Sequence, residues 1–403
     1  MRTKRHIILT VCTILSFLLF SSLSTAFASY EKKAPTGLTA RGAVLLDRQS
    51  GQILFEQNAD ERLYPASITK ILTAILALEN GDLQAMVKTS KLAREQEGNR
   101  IYLEYDEEQT LENLLYGLML NSGNDAAVAI AEHLAGSVEQ FAELMNRKAV
   151  ALGARNSHFV TPSGLHEDDH YTTARDMAVI SSYAMHNETF RKIVATETLP
   201  WKGQVWESVL FNINQMLYEY EGATGIKTGF TDQAQQTIAV SAKRQDRELV
   251  AVLMGVENRP KIREEATRLL DYGFKQFINK KIASKGEVLK QFNVEGSLVR
   301  AYLPEDVYVT LPAASKALIQ SVPKVEPPRA PFDKDAVIGA LNLYQDGHLI
   351  MTADVLADRG VSGIPIEEVT SATENKLLLL ALLIPLLLFF PKKFVKLRKS
   401  RSM

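Results

Sequence analysis

The sequence predicts an α/β protein in which an antiparallel sheet is covered by helices, followed by a small all-β domain and a C-terminal membrane anchor. Three observations lead there. Two hairpin-like pairs of apolar runs, GAVLLD with GQILFEQ near the start and TIAVSA with LVAVLMGV further on, enclose a long stretch of helical periodicity. The texture then changes to short alternating runs beyond Lys280, and an apolar run near the end is followed by a basic cluster. At 403 residues the chain has room for two domains, and 46% hydrophobic with 23% charged residues excludes a disordered chain.

The first 28 residues read as a leader, with a basic start (Arg2, Lys4, Arg5), an apolar run from Ile7 to Leu23 and a small-x-small signal at Ala26-Phe-Ala28, so the mature chain is expected to begin at Ser29. The one cysteine, Cys12, falls inside that leader, which leaves the exported chain without disulfide or thiol chemistry. The main domain is expected over residues 30–280. Its first two strands turn around Gln49-Ser50-Gly51, and from Ser67 to Lys192 apolar residues recur at helical spacing, as in Leu111, Leu114, Leu115 and Leu118. A second hairpin turns between Arg244 and Arg247, and Ile262 to Ile278 reads as an amphipathic helix. First and last strands then share one sheet.

Residues 281–366 read as the small all-β domain, from the runs Glu287 to Phe292, Leu298 to Leu303 and Val307 to Leu311, a proline-rich break from Val322 to Pro331, and the runs Ala336 to Leu343 and Leu349 to Val355. Residues 367–375 form a polar linker and 376–391 the anchor. Its 14 apolar residues from Leu377 to Phe390 are interrupted by Pro385, which is short against the roughly 20 of a usual span. The run is apolar all round, which argues for insertion, and the basic tail 392–403 is expected on the cytoplasmic side. Of 46 basic residues, three lie in the leader and seven from Lys376 onward, leaving 36 against 47 acidic residues in the exported body. Nucleic acid is therefore excluded as a partner.

The chemistry starts at YPASITKILTA, residues 64–74. Pro65 and Ser67 are helix-start signals and Ile71, Leu72, Ile75 and Leu76 continue the apolar pattern, so Ser67 and Lys70 share one face a turn apart. A serine hydroxyl is a poor nucleophile until a base takes its proton, and a desolvated lysine can be that base. By itself the pair fits a capping serine and a snorkelling lysine better than a catalytic pair. Two further segments tip the balance: Asn121-Ser122-Gly123-Asn124, a hydroxyl and an amide in a tight turn, and Gly225-Ile-Lys-Thr-Gly-Phe-Thr231, a lysine, hydroxyl and glycine that could hold an anion. S-x-x-K, S-x-N and K-T-G in this order, 55 residues from Ser67 to Ser122 and 105 from Ser122 to Lys227, point to a single site.

SITK, SGN and KTG in this order resemble the penicillin-binding, active-site-serine peptidases. The stretches YPASITKILTA, LNSGNDAAVAIAEHLAGS, FVTPSGLHEDDHYTTARDMA and GIKTGFT are similar to those of the low-molecular-mass D-alanyl-D-alanine carboxypeptidases, as is ALNLYQDGHLIMTADVLA, which resembles their accessory β-domain. The resemblance implies a penicillin-binding/β-lactamase-like transpeptidase fold and a serine D-Ala-D-Ala carboxypeptidase, active without a cofactor or metal on peptidoglycan stem peptides and acylated by β-lactams. It implies Ser67 as nucleophile, Lys70 as general base, Ser122 as proton relay and Asn124 as a holder of the substrate amide and of Lys70. Lys227 and Thr228 would bind the terminal carboxylate, Gly229 would give the substrate strand room, and the backbone N–H groups of Ser67 and Phe230 would hold the oxyanion, roughly 3 kcal/mol per donor. Arg263 is a further carboxylate ligand by looser alignment. Gln235-Gln-Thr237 departs from the family's small residues after KTG.

Other readings leave their own marks. His166-Glu-Asp-Asp-His170 matches the H-E-x-x-H zinc pattern, with Glu188 as a possible third ligand. That pattern needs a helix, however, and here it follows Pro162-Ser-Gly164 and holds two aspartates, which favours a turn; Thr173 and Asp176 stand where the extended motif needs glycine and a third ligand. A class A β-lactamase would need E-x-x-x-N between Ser122 and Lys227, and no glutamate there supplies it. A DD-endopeptidase of this chemistry would commonly lack the β-domain, and a non-catalytic wall-binding scaffold would not need all three motifs intact.

Overall fold

The computed structural model describes residues 34–362. The expected leader, linker, anchor and basic tail lie outside them; among the described residues no helix is long and apolar enough to cross a membrane. The described residues divide into two compact units, one up to Lys280 together with Tyr308–Ser315, the other Lys281–Val307 together with the residues from Lys316 on.

The first unit opens with strands β1 (Gly42–Asp47) and β2 (Ile53–Gln57), then a 3-10 turn (Ala66–Thr69) running into helix α1 (Lys70–Asn80). A short strand pair, β3 (Met86–Lys88) and β4 (Glu108–Thr110), precedes helices α2 (Leu111–Leu120), α3 (Asn124–Ala135), α4 (Val138–Ala151), α5 (Ala174–Ala184) and α6 (Glu188–Ala195). A hairpin of β5 (Thr198–Lys202) and β6 (Glu207–Phe211) leads to β7 (Ala223–Thr231), β8 (Gln235–Arg244), β9 (Arg247–Val256) and helix α7 (Arg259–Gln276).

Five of these strands form one antiparallel sheet in the order β2-β1-β9-β8-β7, so the first and last segments of the unit do meet in one sheet. The alternation of side chains on a strand explains why its middle is apolar on both faces. In β9, Val250, Val252 and Met254 enter the larger core with the helices α1 to α6. Leu249, Ala251 and Leu253 point the other way, into a second core against α7. β1 splits likewise, Val44 and Leu46 to one side and Ala43 and Leu45 to the other.

Three elements differ from expectation. α7 begins at Arg259, because the Asn258 side chain accepts from Lys261 N and Pro260 suits a first turn, and it ends at Gln276; Phe277 already belongs to strand β10 (Phe277–Ala283). The KTG segment, which from the sequence reads as leading into the TIAVSA run, is a strand of its own, β7, at the edge of the sheet. The β5–β6 hairpin occupies a stretch that carried no clear period.

The second unit contains β11 (Val288–Val294), β12 (Ser297–Tyr302), β14 (Ile319–Val325), β15 (Val337–Gln345) and β16 (His348–Ala357); β13 (Val307–Pro312) falls almost wholly within the first. Its sheet runs β11-β12-β16-β15-β14 around Val294, Val299, Ala357 and Val361. The proline-rich break starts later than expected, since β14 passes through Val322 and Pro323. As an outermost strand β14 needs no N–H on its free side, so proline is tolerated there.

Candidate active site

Ser67 sits in the 3-10 turn and Lys70 is the first residue of α1. Neither helix start carries a side-chain cap, so Ser67 is not the capping serine its position allowed. Its Oγ lies 3.0 Å from Lys70 Nζ. Lys70 is fully buried, and its Nζ also reaches Asn124 Oδ1 at 2.7 Å and the Ser163 carbonyl at 2.6 Å. Those two oxygens can only accept, so they take two N–H bonds and direct the remaining tetrahedral position of Nζ at Ser67. In a neutral amine that position is the lone pair. Burial holds the Lys70 pKa well below the ordinary lysine value, the nearby charge of Lys227 lowers it further, and Asp125 opposes both.

The SGN turn connects α2 to α3 and is nearly closed to solvent at Ser122 and Asn124. Ser122 has φ 62°, a left-handed conformation that costs a non-glycine residue of order 1–3 kcal/mol and must be held by its surroundings. Gly123 N donates to Gly117 O, Asn124 N to Asn99 O and Asn121 Nδ2 to Arg100 O. Asn124 Nδ2 donates to Glu97 O, which fixes the amide with its oxygen toward Lys70. Asp125, which sequence reasoning missed, accepts the backbone N–H groups of Ile101 and Leu103 and so ties the facing loop to the start of α3.

On β7, Thr228 and Gly229 line the same cavity, of about 690 Å³, as Ser67, Ser122, Asn124 and Arg263. Lys227 does not line it: the side chain is buried behind Thr228, with Nζ on the Thr228 carbonyl at 3.0 Å. Burial pulls its pKa down to about 7. Gly229 also meets a demand of the fold itself. A Cβ there would lie 2.7 Å from Ser67 N and 2.5 Å from Thr237 Oγ1, so glycine is what lets the sheet approach the turn that bears Ser67. Thr237, in the QQT departure, uses its hydroxyl to bind the Pro65 carbonyl at 2.8 Å and fastens β8 to that turn. Phe230 is exposed at the cavity wall, and Arg263 is at its edge with Nε on Glu219 at 2.8 Å. Arg259 lines the cavity too, which the sequence did not single out.

Because Lys227 is a charge that depresses the Lys70 pKa, Lys227→Gln is expected to move the ascending limb of the acylation pH profile toward higher pH, as well as to raise KM for a substrate bearing a carboxylate. Penicillin acylation rates measured across pH for both proteins check the sign.

The HEDDH segment is a loop. His170 has no ring nitrogen to give a metal: Nδ1 accepts from Val160 N and Thr161 N at 3.0 and 3.1 Å, and Nε2 meets Thr69 Oγ1 at 2.9 Å. His166 packs edge-on against Tyr64, ring centroids 4.6 Å apart. Asp176 accepts from Asn156 N and Ser157 Oγ, and exposed Glu188 starts α6. Among the described residues no three His, Cys, Asp or Glu side chains gather as a metal would need.

The family described as D-alanyl-D-alanine carboxypeptidase matches residues 29–258, and the C-terminal domain of penicillin-binding protein 5 matches residues 277–362. The chain is 31% identical over 357 residues to the D-alanyl-D-alanine carboxypeptidase DacF of Bacillus subtilis (strain 168), covering 85% of this chain and 92% of the relative. It is 31% identical over 341 residues to DacA of Escherichia coli (strain K12), 78% and 81% of the two chains. The crystal structure of penicillin-binding protein 5 from Haemophilus influenzae superposes with a TM-score of 0.68 at 30% identity, over 82% of this chain and 99% of that one. A Streptomyces K15 DD-transpeptidase variant superposes with a TM-score of 0.57 at 32% identity, over 60% of this chain and 99% of that one.

Proposed function

This chain belongs to the D-alanyl-D-alanine carboxypeptidase family, and from that membership we propose how its residues divide the work and where the protein acts. It is a serine-type D-Ala-D-Ala carboxypeptidase, a hydrolase of peptidoglycan stem peptides that end in D-Ala-D-Ala, and like its family it is acylated by penicillins. The observation that carries the assignment of roles is the set of three oxygens around Lys70 Nζ, which leaves its lone pair on Ser67 Oγ.

Ser67 Oγ attacks the carbonyl between the two terminal D-alanines as its proton passes to Lys70 Nζ. Negative charge gathers on the carbonyl oxygen, between the N–H groups of Ser67, at the open start of a helical turn, and Phe230, on the edge strand. The C–N bond breaks when the departing amine takes the proton that Lys70 Nζ gained, relayed through Ser122, giving free D-alanine, an ester on Ser67 and a neutral lysine. Water, deprotonated by the same lysine, then attacks the ester and releases the shortened peptide. Thr228 contacts the terminal carboxylate directly, Lys227 supports it with charge from behind, and Arg263 adds donors beyond the Nε it shares with Glu219.

The enzyme is exported and held at the outer face of the cytoplasmic membrane. The leader-like residues 1–28, the apolar run 377–390 and the basic tail behind it support this reading. Incubation with labelled penicillin and with a peptide ending in D-Ala-D-Ala tests the chemistry. A covalent adduct and free D-alanine are expected from the wild type and neither from Ser67→Ala; an adduct that survives Ser67→Ala would overturn the assignment.

A further inference from the structure

The zinc-like histidine pair leaves a question once the metal is set aside: why a loop beside a serine peptidase site buries an imidazole completely. Residues 160–165 form a strap that crosses α1 and supplies the Ser163 carbonyl to Lys70. The strap is held to the helix by Thr73 Oγ1, which donates to the Pro162 carbonyl at 2.7 Å. It is folded on itself by Thr161 Oγ1, which accepts from Gly164 N and donates to Leu165 O. The incoming end, at Val160 and Thr161, points two backbone N–H groups inward, and His170 Nδ1 accepts both.

Those two donors settle the tautomer. Nδ1 must be unprotonated, so Nε2 carries the hydrogen and donates it to Thr69 Oγ1, on the residue immediately before Lys70. The imidazole is packed edge-on against buried Phe159, ring centroids 5.6 Å apart. Its own backbone is fixed from both sides: His170 N donates to Glu167 O, and the next residues pair with His158 and with Leu63. One ring therefore joins the incoming end of the strap, 10 residues before it, to the turn bearing Ser67, 101 residues before it at Thr69.

We propose that His170 is a positioning residue for the base of this site: by gripping Val160 and Thr161 with Nδ1 and Thr69 with Nε2, it fixes the strap so that the Ser163 carbonyl binds one N–H of Lys70 and leaves the lone pair on Ser67. The role needs a ring that stays neutral, since an imidazolium cannot accept the two N–H bonds. Burial, then the charges of His158, His166 and Lys70 that face it, hold the His170 pKa down to about 3, so it accepts throughout the range in which Lys70 titrates. This explains why the segment keeps a histidine while forming no helix and offering no metal a nitrogen.

The inference rests on Lys70 as the base, and the test separates the two. In the full-length protein, penicillin acylation is resolved into a non-covalent constant and a rate constant, each across pH, for the wild type, Ser67→Ala and a His170 series. His170→Asn keeps an acceptor near Nδ1, His170→Gln keeps a donor near Nε2, and His170→Phe keeps only bulk. The acylation rate constant is expected to fall about 10- to 100-fold in His170→Phe, a misplacement of order 1 Å at the base, and less in His170→Asn. The non-covalent constant should stay near wild type while the ascending pH limb moves to higher pH, because a loosened strap admits water to Lys70. Thermal melting reports whether each variant folds; should the series not fold, Thr69→Val, which removes only the Nε2 partner, must show the same alkaline displacement. A folded His170→Phe with wild-type rate constant and pH limb, or activity that needs added zinc and vanishes alike in all three variants, overturns the positioning role. Penicillin labelling that survives Ser67→Ala would instead sink the underlying reading.

Discussion

Lys70→Arg is expected to remove acylation by penicillin and release of D-alanine together, with a fall of about 10³-fold or more in the acylation rate constant. The substitution keeps the positive charge and adds donors, so a role in holding charge or binding carboxylate would survive it. A guanidinium does not lose its proton in a protein, and a base that cannot become neutral has no lone pair for Ser67 Oγ. The wild-type rate should rise with pH as Lys70 loses its proton at a pKa well below the ordinary lysine value of 10.5, the consequence first of burial and then of Lys227. That limb should be absent from the residual rate of the variant. Labelled penicillin followed in time across pH checks both, with thermal melting to show that the variant folds. Acylation within about tenfold of wild type would remove Lys70 from the role of base.

Gly164→Ala is expected to be nearly as severe, although Gly164 touches no reacting atom. A Cβ at that position would lie 1.9 Å from the Ala66 carbonyl oxygen and 2.8 Å from Thr69 Oγ1, and φ is +78°. Ala66 is backbone one residue from the nucleophile and itself at φ 50°, so it has little freedom to yield. The strap must lift instead, which draws the Ser163 carbonyl away from Lys70 Nζ. Overpacking of this kind costs about 1–3 kcal/mol of stability, and the displaced base about 100-fold in acylation. Gly153→Ala is the control, since Gly153 has φ +86° with nothing within 4 Å of the added carbon. It should show a backbone penalty in urea unfolding and no loss of acylation, so equal acylation in the two variants would remove the strap from the mechanism.

Much of this protein was legible in its sequence because it is decided within a turn or two of chain. Apolar runs bounded by turn residues marked β1, β2, β8 and β9, and a period near four marked α1 and α2, since the residues that set those patterns are neighbours along the chain. Serine and lysine three apart at a helix start had to share a face, and the order of three short motifs was enough to join distant segments into one site. β7 was not legible as a strand, because Gly225, Lys227 and Gly229 interrupt its alternation and its partner β8 supplies the order. HEDDH was legible as a turn for the same local reason: i, i+4 spacing brings two imidazoles together only if the backbone is helical, and after Pro162-Ser-Gly164 it is a loop.

Only the tertiary structure decided what Lys70 is. Its two carbonyl acceptors come from residues 54 and 93 positions away, and its desolvation comes from a core assembled by several helices. The same holds for Lys227, which lies behind Thr228 rather than in the cavity, for Gly229, whose missing side chain admits the Ser67 amide, and for Arg263, which shares its guanidinium with Glu219. Spacing and order, which are properties of the chain, marked the serines, lysines and amide of the three motifs, while Asp125 and Arg259 emerged only from the fold. Their protonation, direction and reach followed from the fold, because burial and hydrogen-bond geometry exist only once distant segments are in contact.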